Sequence, residues 1–221
     1  MKNVSFFHCD ITSKEKVDQT AEQVRATLGH PTILCNNAGM AQAHTILESG
    51  PEYLRKLFDV NVISQFYTIQ AFLPHMIEQK KGHIITTASI ASFATCAGLV
   101  DYAASKAAVL ALHEGLGQEL KHRYKAPQIK LSIVHPIYVR TKLVISYAKS
   151  LERSKAVQIE PQTVADAIVK QILSGRSGQV VLPSWMGFLS RIKGFPSWFQ
   201  EVIRDTAKRD VEQESIPTTD V

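Results

Sequence analysis

Short β-branched runs alternate with helix-period stretches along most of this chain, and that alternation limits its fold more than any other feature. Val4 to Cys9 read as a buried strand. Thr12 to Glu15 then form a capping-box signature ahead of Val17, Ala21, Val24 and Leu28, which recur at helical spacing until Gly29. Thr32 to Cys35 make a second apolar run, ending in the turn-rich "NNAG". Pro51 opens a long helical pattern through Leu54, Leu57, Val62, Ile69 and Phe72, which Pro74 is expected to kink before Gly82 ends it. His83 to Ala88, Ile129 to Val134 and Gln179 to Leu182 read as further strands. Helices over Tyr102 to about Tyr124 and Thr163 to Leu173 separate them. Strands that alternate with helices return to one sheet in parallel, so the sequence predicts an α/β fold with helices on both faces.

At 221 residues and 45% apolar content, the chain can bury one well-packed core. A single domain over residues 1–183 is expected, followed by an amphipathic extension over 184–221. Cys9, Cys35 and Cys96 include no C-x-x-C pair, so neither a disulfide framework nor a zinc site is expected, and no metal ligand set is assigned. The net charge of +5 comes from dispersed Lys and Arg without a basic block or interleaved aromatics, which argues against a nucleic-acid partner. No stretch approaches the ~20 apolar residues of a membrane-spanning helix.

Within "DYAASKAAV", Tyr102 and Lys106 stand four apart on a predicted helix and share one face. A tyrosine moves protons near neutrality only if its pKa, normally about 10, falls by roughly three units, or about 4 kcal/mol of preferential phenolate stabilisation. An adjacent ammonium supplies part of that. Ser89, at the end of the His83 strand, would present its hydroxyl to the same crevice, because ligands of open α/β sheets lie outside the carboxyl ends of the strands. Asn61, in "FDVNVIS", is within reach of it. Each of these alone is common by chance.

Together, "NNAG" at Asn36 to Gly39, Asn61, Ser89 in "ITTASIAS" and "YAASK" from Tyr102 to Lys106 occur in an order that resembles the short-chain dehydrogenase/reductase family, up to about Leu182. The resemblance implies a Rossmann-like, doubly wound parallel sheet and an enzyme that uses NAD or NADP to interconvert alcohols and carbonyls. It makes Tyr102 the general acid or base and Lys106 the group that lowers its pKa and bonds the nicotinamide ribose. Ser89 would hold the substrate oxygen, and Asn61 would anchor a water that links Lys106 to solvent. Asp10 and Ile11, in "CDIT", match the contact near the adenine ring, and Asn36, Asn37, Ala38 and Gly39 match the loop beside the adenosine ribose. Pro136, Val139 and Thr141 match the segment that binds the nicotinamide carboxamide, although Ile137 stands where the family usually has glycine.

One departure is larger. No G-x-x-x-G-x-G loop precedes Asp10, and the opening strand corresponds to the family's third. The resemblance therefore implies an N-terminally truncated member that lacks the first two strands and the glycine-rich loop. In the 3-2-1-4-5-6 strand order, the opening strand would then lack its neighbour, an apolar edge would be left beside Ile33 and Leu34, and the pyrophosphate would have no helix N-terminus to sit on. The residue that separates NAD from NADP would be missing too.

Leu143 to Ile159 fall where the family places its variable substrate lid, and their apolar residues suggest an apolar substrate. The tail brings Trp185, Phe188, Leu189, Ile192, Phe195, Trp198 and Phe199 together with Arg191, Lys193 and Arg204. Packing against the domain or a partner subunit, and lying in a membrane interface, are both open for it. The tail and the "VHP" variant look similar to the retinol and hydroxysteroid dehydrogenase branch. That branch implies a lipophilic alcohol or ketone (retinoid, steroid or long-chain compound) and a place on the cytoplasmic side of the endoplasmic reticulum or lipid droplets. A homodimer through Leu54 to Phe72 and Ala107 to Leu120 is expected from the family. The alternative function is a catalytically inactive member that dimerises with relatives and regulates them.

Overall fold

The computed structural model describes residues 4–206. Among them are six strands: β1 (Ile33–Asn36), β2 (His83–Thr87), β3 (Lys130–Pro136), β4 (Tyr138–Val139), β5 (Gln158–Ile159) and β6 (Gly178–Leu182). Seven α-helices accompany them: α1 (Lys14–Leu28), α2 (Pro51–Phe58), α3 (Ser64–Glu78), α4 (Val100–His122), α5 (Ala148–Arg153), α6 (Pro161–Leu173) and α7 (Ser197–Thr206). The main sheet is parallel throughout, in the order β1-β2-β3-β6, and β4 pairs with β5 in a separate parallel ribbon.

Helices cover both faces of this sheet, and the register shows why. Ile84 lies beside Leu131 and Thr86 beside Ile133, while Ile85 lies beside Ser132 and Thr87 beside Val134. Side chains alternate along a strand. Ile84 and Leu131 accordingly pack with Ile69, Leu73 and Met76 of α3 and Leu120 of α4. Ile85 and Val134 pack on the opposite face with Val164, Ile168 and Ile172 of α6. Buried on both sides, β2 and β3 carry apolar residues on both faces, interspersed with the buried polar His83, Thr86, Ser132 and His135.

The segment expected to form an opening strand does not form one. Residues 4–10 have no ladder partner, and Phe6 is 92% exposed. An extended segment gains strand hydrogen bonds only from a neighbour, and β1 ends the sheet without pairing to this one. The apolar edge expected beside it is present, with Ile33 and Cys35 exposed. The cap of α1 also differs by one residue. Ser13 is the N-cap and accepts from the Lys16 N–H, whereas Thr12 turns its hydroxyl to Asp10.

The long helical pattern from Pro51 is interrupted at a place its periodicity does not reveal. Pro74 lies inside α3 without ending it, and the break comes earlier, in a single π turn over Asp59–Ile63. Such turns concentrate at functional sites. β3 runs on to Pro136, two residues past the expected end, because His135 and Pro136 pair with Val181 and Leu182 of β6.

Ile84 is fully buried at the centre of the α3–α4 face. Ile84→Ala should cost about 2–5 kcal/mol, seen as a lower urea midpoint at unchanged slope; a midpoint equal to that of the wild type would contradict this packing.

Candidate active site

A cavity of about 1170 Å³ opens at the carboxyl ends of the central strands. Asn37, Ala38 and Gly39 reach it from the loop after β1, Thr87, Ala88 and Ser89 from the end of β2, Pro136 from the last position of β3, and Val139 and Thr141 from beyond it. Tyr102 and Lys106 enter from the first two turns of α4. Nine residues singled out in the sequence thus converge on one space: Asn37, Ala38, Gly39, Ser89, Tyr102, Lys106, Pro136, Val139 and Thr141.

Lys106 is buried, and its Nζ donates to the Thr87 carbonyl at 3.0 Å while lying 5.7 Å from the centre of the Tyr102 ring. Burial pulls its pKa down to about 8. Burial also pushes Tyr102 up to about 12, against a hydrogen bond with the Ser89 side chain that pulls it down. The sequence predicts that the neighbouring ammonium lowers the phenol. In this arrangement desolvation outweighs the Ser89 hydrogen bond and holds Tyr102 neutral.

Asn61 stands behind the cavity wall. It is fully buried in the π turn; its Oδ1 accepts from the Met40 N–H at 2.8 Å, and its Nδ2 donates to the Met40 carbonyl at 3.0 Å and to Ser105 Oγ at 2.9 Å. Ser105 in turn donates to the Tyr102 carbonyl at 2.7 Å. The loop after β1, the π turn and the first turn of α4 are therefore held in one buried network. A Cβ built on Gly39 would lie 3.4 Å from Asn61 Oδ1 and 3.5 Å from Lys106 Nζ, so the absence of a side chain there leaves the Lys106 ammonium open to the cavity.

Three expected site residues lie elsewhere. The Asp10 carboxylate accepts from the Thr12 N–H at 3.0 Å and the Thr12 hydroxyl at 2.6 Å, and neither Asp10 nor Ile11 lines the cavity. The Thr12 hydroxyl also holds the Asp10 carboxyl below its usual range. Asp10 leads into α1, which packs on α3, so its carboxylate is used to shape the turn into that helix. Asn36 is buried under the wall, where its Oδ1 accepts from Thr68 Oγ1 at 2.8 Å.

Other residues enter without having been expected. Ser105 and Thr87 anchor Asn61 and Lys106, and no short-range spacing marks them. Trp185, Met186, Phe188, Leu189, Ile203 and Arg204 line the far side of the cavity, and Leu189 and Ile192 pack on Ile90 and Phe93. Packing on the domain, one of the two readings of the tail, therefore holds for Leu189 and Ile192. Leu143, Val144, Ala156 and Val157 of the expected lid segment line the cavity as well. Among the described residues no helix is long and apolar enough to cross a membrane.

A family model described as short chain dehydrogenase matches residues 1–152. A dehydrogenase, RED2, of Cochliobolus heterostrophus is 44% identical over 132 residues, which are 60% of this chain and 50% of that protein. Retinol dehydrogenase 10 of Homo sapiens is 42% identical over 135 residues, 61% of this chain and 39% of that one. The chain thus spans half or less of the length of these two relatives. Among solved structures, a short-chain dehydrogenase from Streptomyces avermitilis superposes with a TM-score of 0.71 at 27% identity, covering 90% of this chain and 80% of that one.

Two outcomes follow from the buried network. Asn61→Leu leaves the Met40 N–H and carbonyl unpaired, at about 1–3 kcal/mol for each group, so the melting midpoint should fall; an unchanged midpoint would contradict the pin. Lys106 has a folded pKa of about 8 against an ordinary 10.5, so between those values the unfolded chain binds more protons and stability rises with pH. Measured against Lys106→Met, the wild type should therefore gain stability from about pH 8 to 10.5 and show a flat difference below 8. A difference that falls over that range would contradict the burial of this ammonium.

Proposed function

Because this chain belongs to the short-chain dehydrogenase family, we propose that its cavity is the active site of an NAD- or NADP-dependent oxidoreductase that interconverts an alcohol and a carbonyl compound. The observation that carries this is the meeting of Ser89, Tyr102 and Lys106 in one cavity beside an open Gly39.

The residues present fit the nicotinamide-riboside half of such a dinucleotide. The space left by Gly39 in front of the Lys106 ammonium suits a ribose hydroxyl, and Pro136, Val139 and Thr141 would hold the carboxamide. Asn37 and Ala38 would border the adenosine ribose. The sequence supplies no glycine-rich loop that could be assigned to the pyrophosphate. When bound, the dinucleotide supplies or takes up the hydride.

The protein moves the proton. In carbonyl reduction a general acid must hold its proton until the oxygen becomes basic, and a Tyr102 kept neutral by burial is in that form. Ser89, whose hydroxyl reaches Tyr102, orients the substrate oxygen between them. As the phenol gives up its proton, the Lys106 ammonium, still largely charged at neutral pH, stabilises the phenolate. Oxidation runs the same proton in reverse.

The substrate in this reading is a lipophilic alcohol or ketone, such as a retinoid, steroid or long-chain compound. Leu143, Val144, Val157, Trp185, Phe188 and Leu189 support it by giving the cavity an apolar outer wall, and so does the similarity to retinol dehydrogenase 10. The reading extends to peripheral membrane contact at the endoplasmic reticulum or lipid droplets, supported by exposed Trp185, Phe188 and Trp198 near Arg191 and Lys193. It extends also to a homodimer through Leu54 to Phe72, which span α2 to α3, and Ala107 to Leu120 of α4.

Tyr102→Phe should lower turnover about 10²- to 10⁴-fold while leaving the melting midpoint in place. Full activity in Tyr102→Phe would overturn the chemistry. Turnover of small sugars alone, in a panel that includes retinoids, steroids and long-chain ketones, would overturn the substrate class. Cofactor binding without turnover of any carbonyl compound would favour a regulatory family member.

A further inference from the structure

Beside the turn that carries Ser89 lies a fully buried imidazole that has no part in the proton transfer above. His135, on β3, places its Nδ1 3.0 Å from the Ser89 carbonyl oxygen. A carbonyl only accepts, so Nδ1 carries the hydrogen and the neutral ring is left with Nε2 as a bare acceptor. Nε2 is buried and has no hydrogen-bond partner among the described residues. Phe93 lies against the ring, with centroids 4.4 Å and planes 37° apart. Burial holds the pKa of His135 down to about 4, with a lesser push from His113 of α4 and from Lys106, so the ring stays neutral through the physiological range.

Ser89 needs such support because it sits just past the end of the sheet. The last β2–β3 hydrogen bond runs from the Ala88 N–H to the Val134 carbonyl at 2.8 Å. Beyond it Ser89 is extended, and its hydroxyl accepts from the Ala91 N–H at 3.1 Å and reaches the Pro136 carbonyl at 3.4 Å. The Ser89 carbonyl accepts from the Ser92 N–H at 3.0 Å as well as from His135. The local bonds close the turn on itself, and His135 is the side chain that ties this carbonyl to the neighbouring strand. A core histidine that only filled space would gain nothing from a buried, unpaired Nε2, which is unfavourable. An aliphatic side chain would avoid that cost, and what an aliphatic residue cannot supply is the Nδ1–H.

We propose that His135 is a positioning residue for Ser89: its Nδ1–H clamps the Ser89 carbonyl and fixes the direction from which the Ser89 hydroxyl meets the reacting oxygen. This rests on the reading of Ser89 as a substrate contact. His135 itself touches no reacting atom and acts only through the serine.

Two measurements test it, and only one needs turnover. Nitrogen NMR of the histidine-labelled chain should show His135 as the neutral Nδ1–H tautomer near pH 7; the Nε2–H tautomer, which leaves no Nδ1–H to donate, overturns the clamp whether or not the enzyme is active. In steady-state kinetics, His135→Leu should lower kcat about 10- to 100-fold with little change in KM. His135→Asn, whose amide can donate from nearly the same place, should restore most of that loss. In a Ser89→Ala background, His135→Leu should have no further effect on kcat. Independent, additive losses would overturn the proposal and leave His135 as packing alone. A wild-type chain without turnover would sink the proposed function, and the tautomer would still decide the clamp.

Discussion

One buried amide ties the parts of this site together. The side chain of Asn61 pairs with both the N–H and the carbonyl of Met40 and also reaches Ser105, which holds the Tyr102 carbonyl. These bonds join segments far apart in the chain, in an interior where a hydrogen bond is stronger than in water and an unpaired group more costly. The π turn at Asp59–Ile63 belongs to the same device, since it departs from α-helical bonding at the residue that makes these contacts. The position of the loop after β1 relative to α4, and with it the gap between Gly39 and Lys106, depends on this pin.

Around the pin, the sheet decides what the cavity contains. The parity of β2 separates Ile84, facing α3 and α4, from Ile85, facing α6, and the strand ends by delivering Thr87 and Ser89 to the opening. Thr87 then serves twice, with its carbonyl taking the Lys106 ammonium and its hydroxyl donating to the Asn37 side chain at 3.1 Å. Burial acts on the two central groups toward the same end. It raises the phenol of Tyr102 and lowers the ammonium of Lys106, so each is driven toward its neutral form. Such perturbed groups facing a cavity are what an acid–base site requires.

How much of this was legible in the sequence depended on the range of the interaction. The order of strands and helices followed from periodicity, and Tyr102 with Lys106 followed from a spacing of four on one helix, because both are local patterns. Ser89 was placed by the rule that ligands lie at the carboxyl ends of strands. The opening segment failed as a strand because its residues specify extended backbone but cannot supply a partner. The bonds from Thr12 to the Asp10 carboxylate are not marked by the motif, and Asp10 stands outside the cavity, at the turn into α1. The π turn, the tie between Ser105 and Asn61, and His135 leave no local signature, since each depends on a residue tens of positions distant. The aromatic tail was ambiguous because its apolar spacing is the same whether it meets a core, a ligand or a lipid.

In the proposed function, the space beside Gly39 and Lys106 receives a nicotinamide dinucleotide. The direct measurement is titration of the chain with NADH and with NADPH, followed by the fluorescence of the reduced nicotinamide, in the wild type and in Gly39→Val, whose side chain would stand against Lys106 Nζ. The wild type should bind at least one dinucleotide saturably, and Gly39→Val should lose that binding at an unchanged melting midpoint. No binding of either dinucleotide by the folded wild type, or equal binding by Gly39→Val, would contradict this reading.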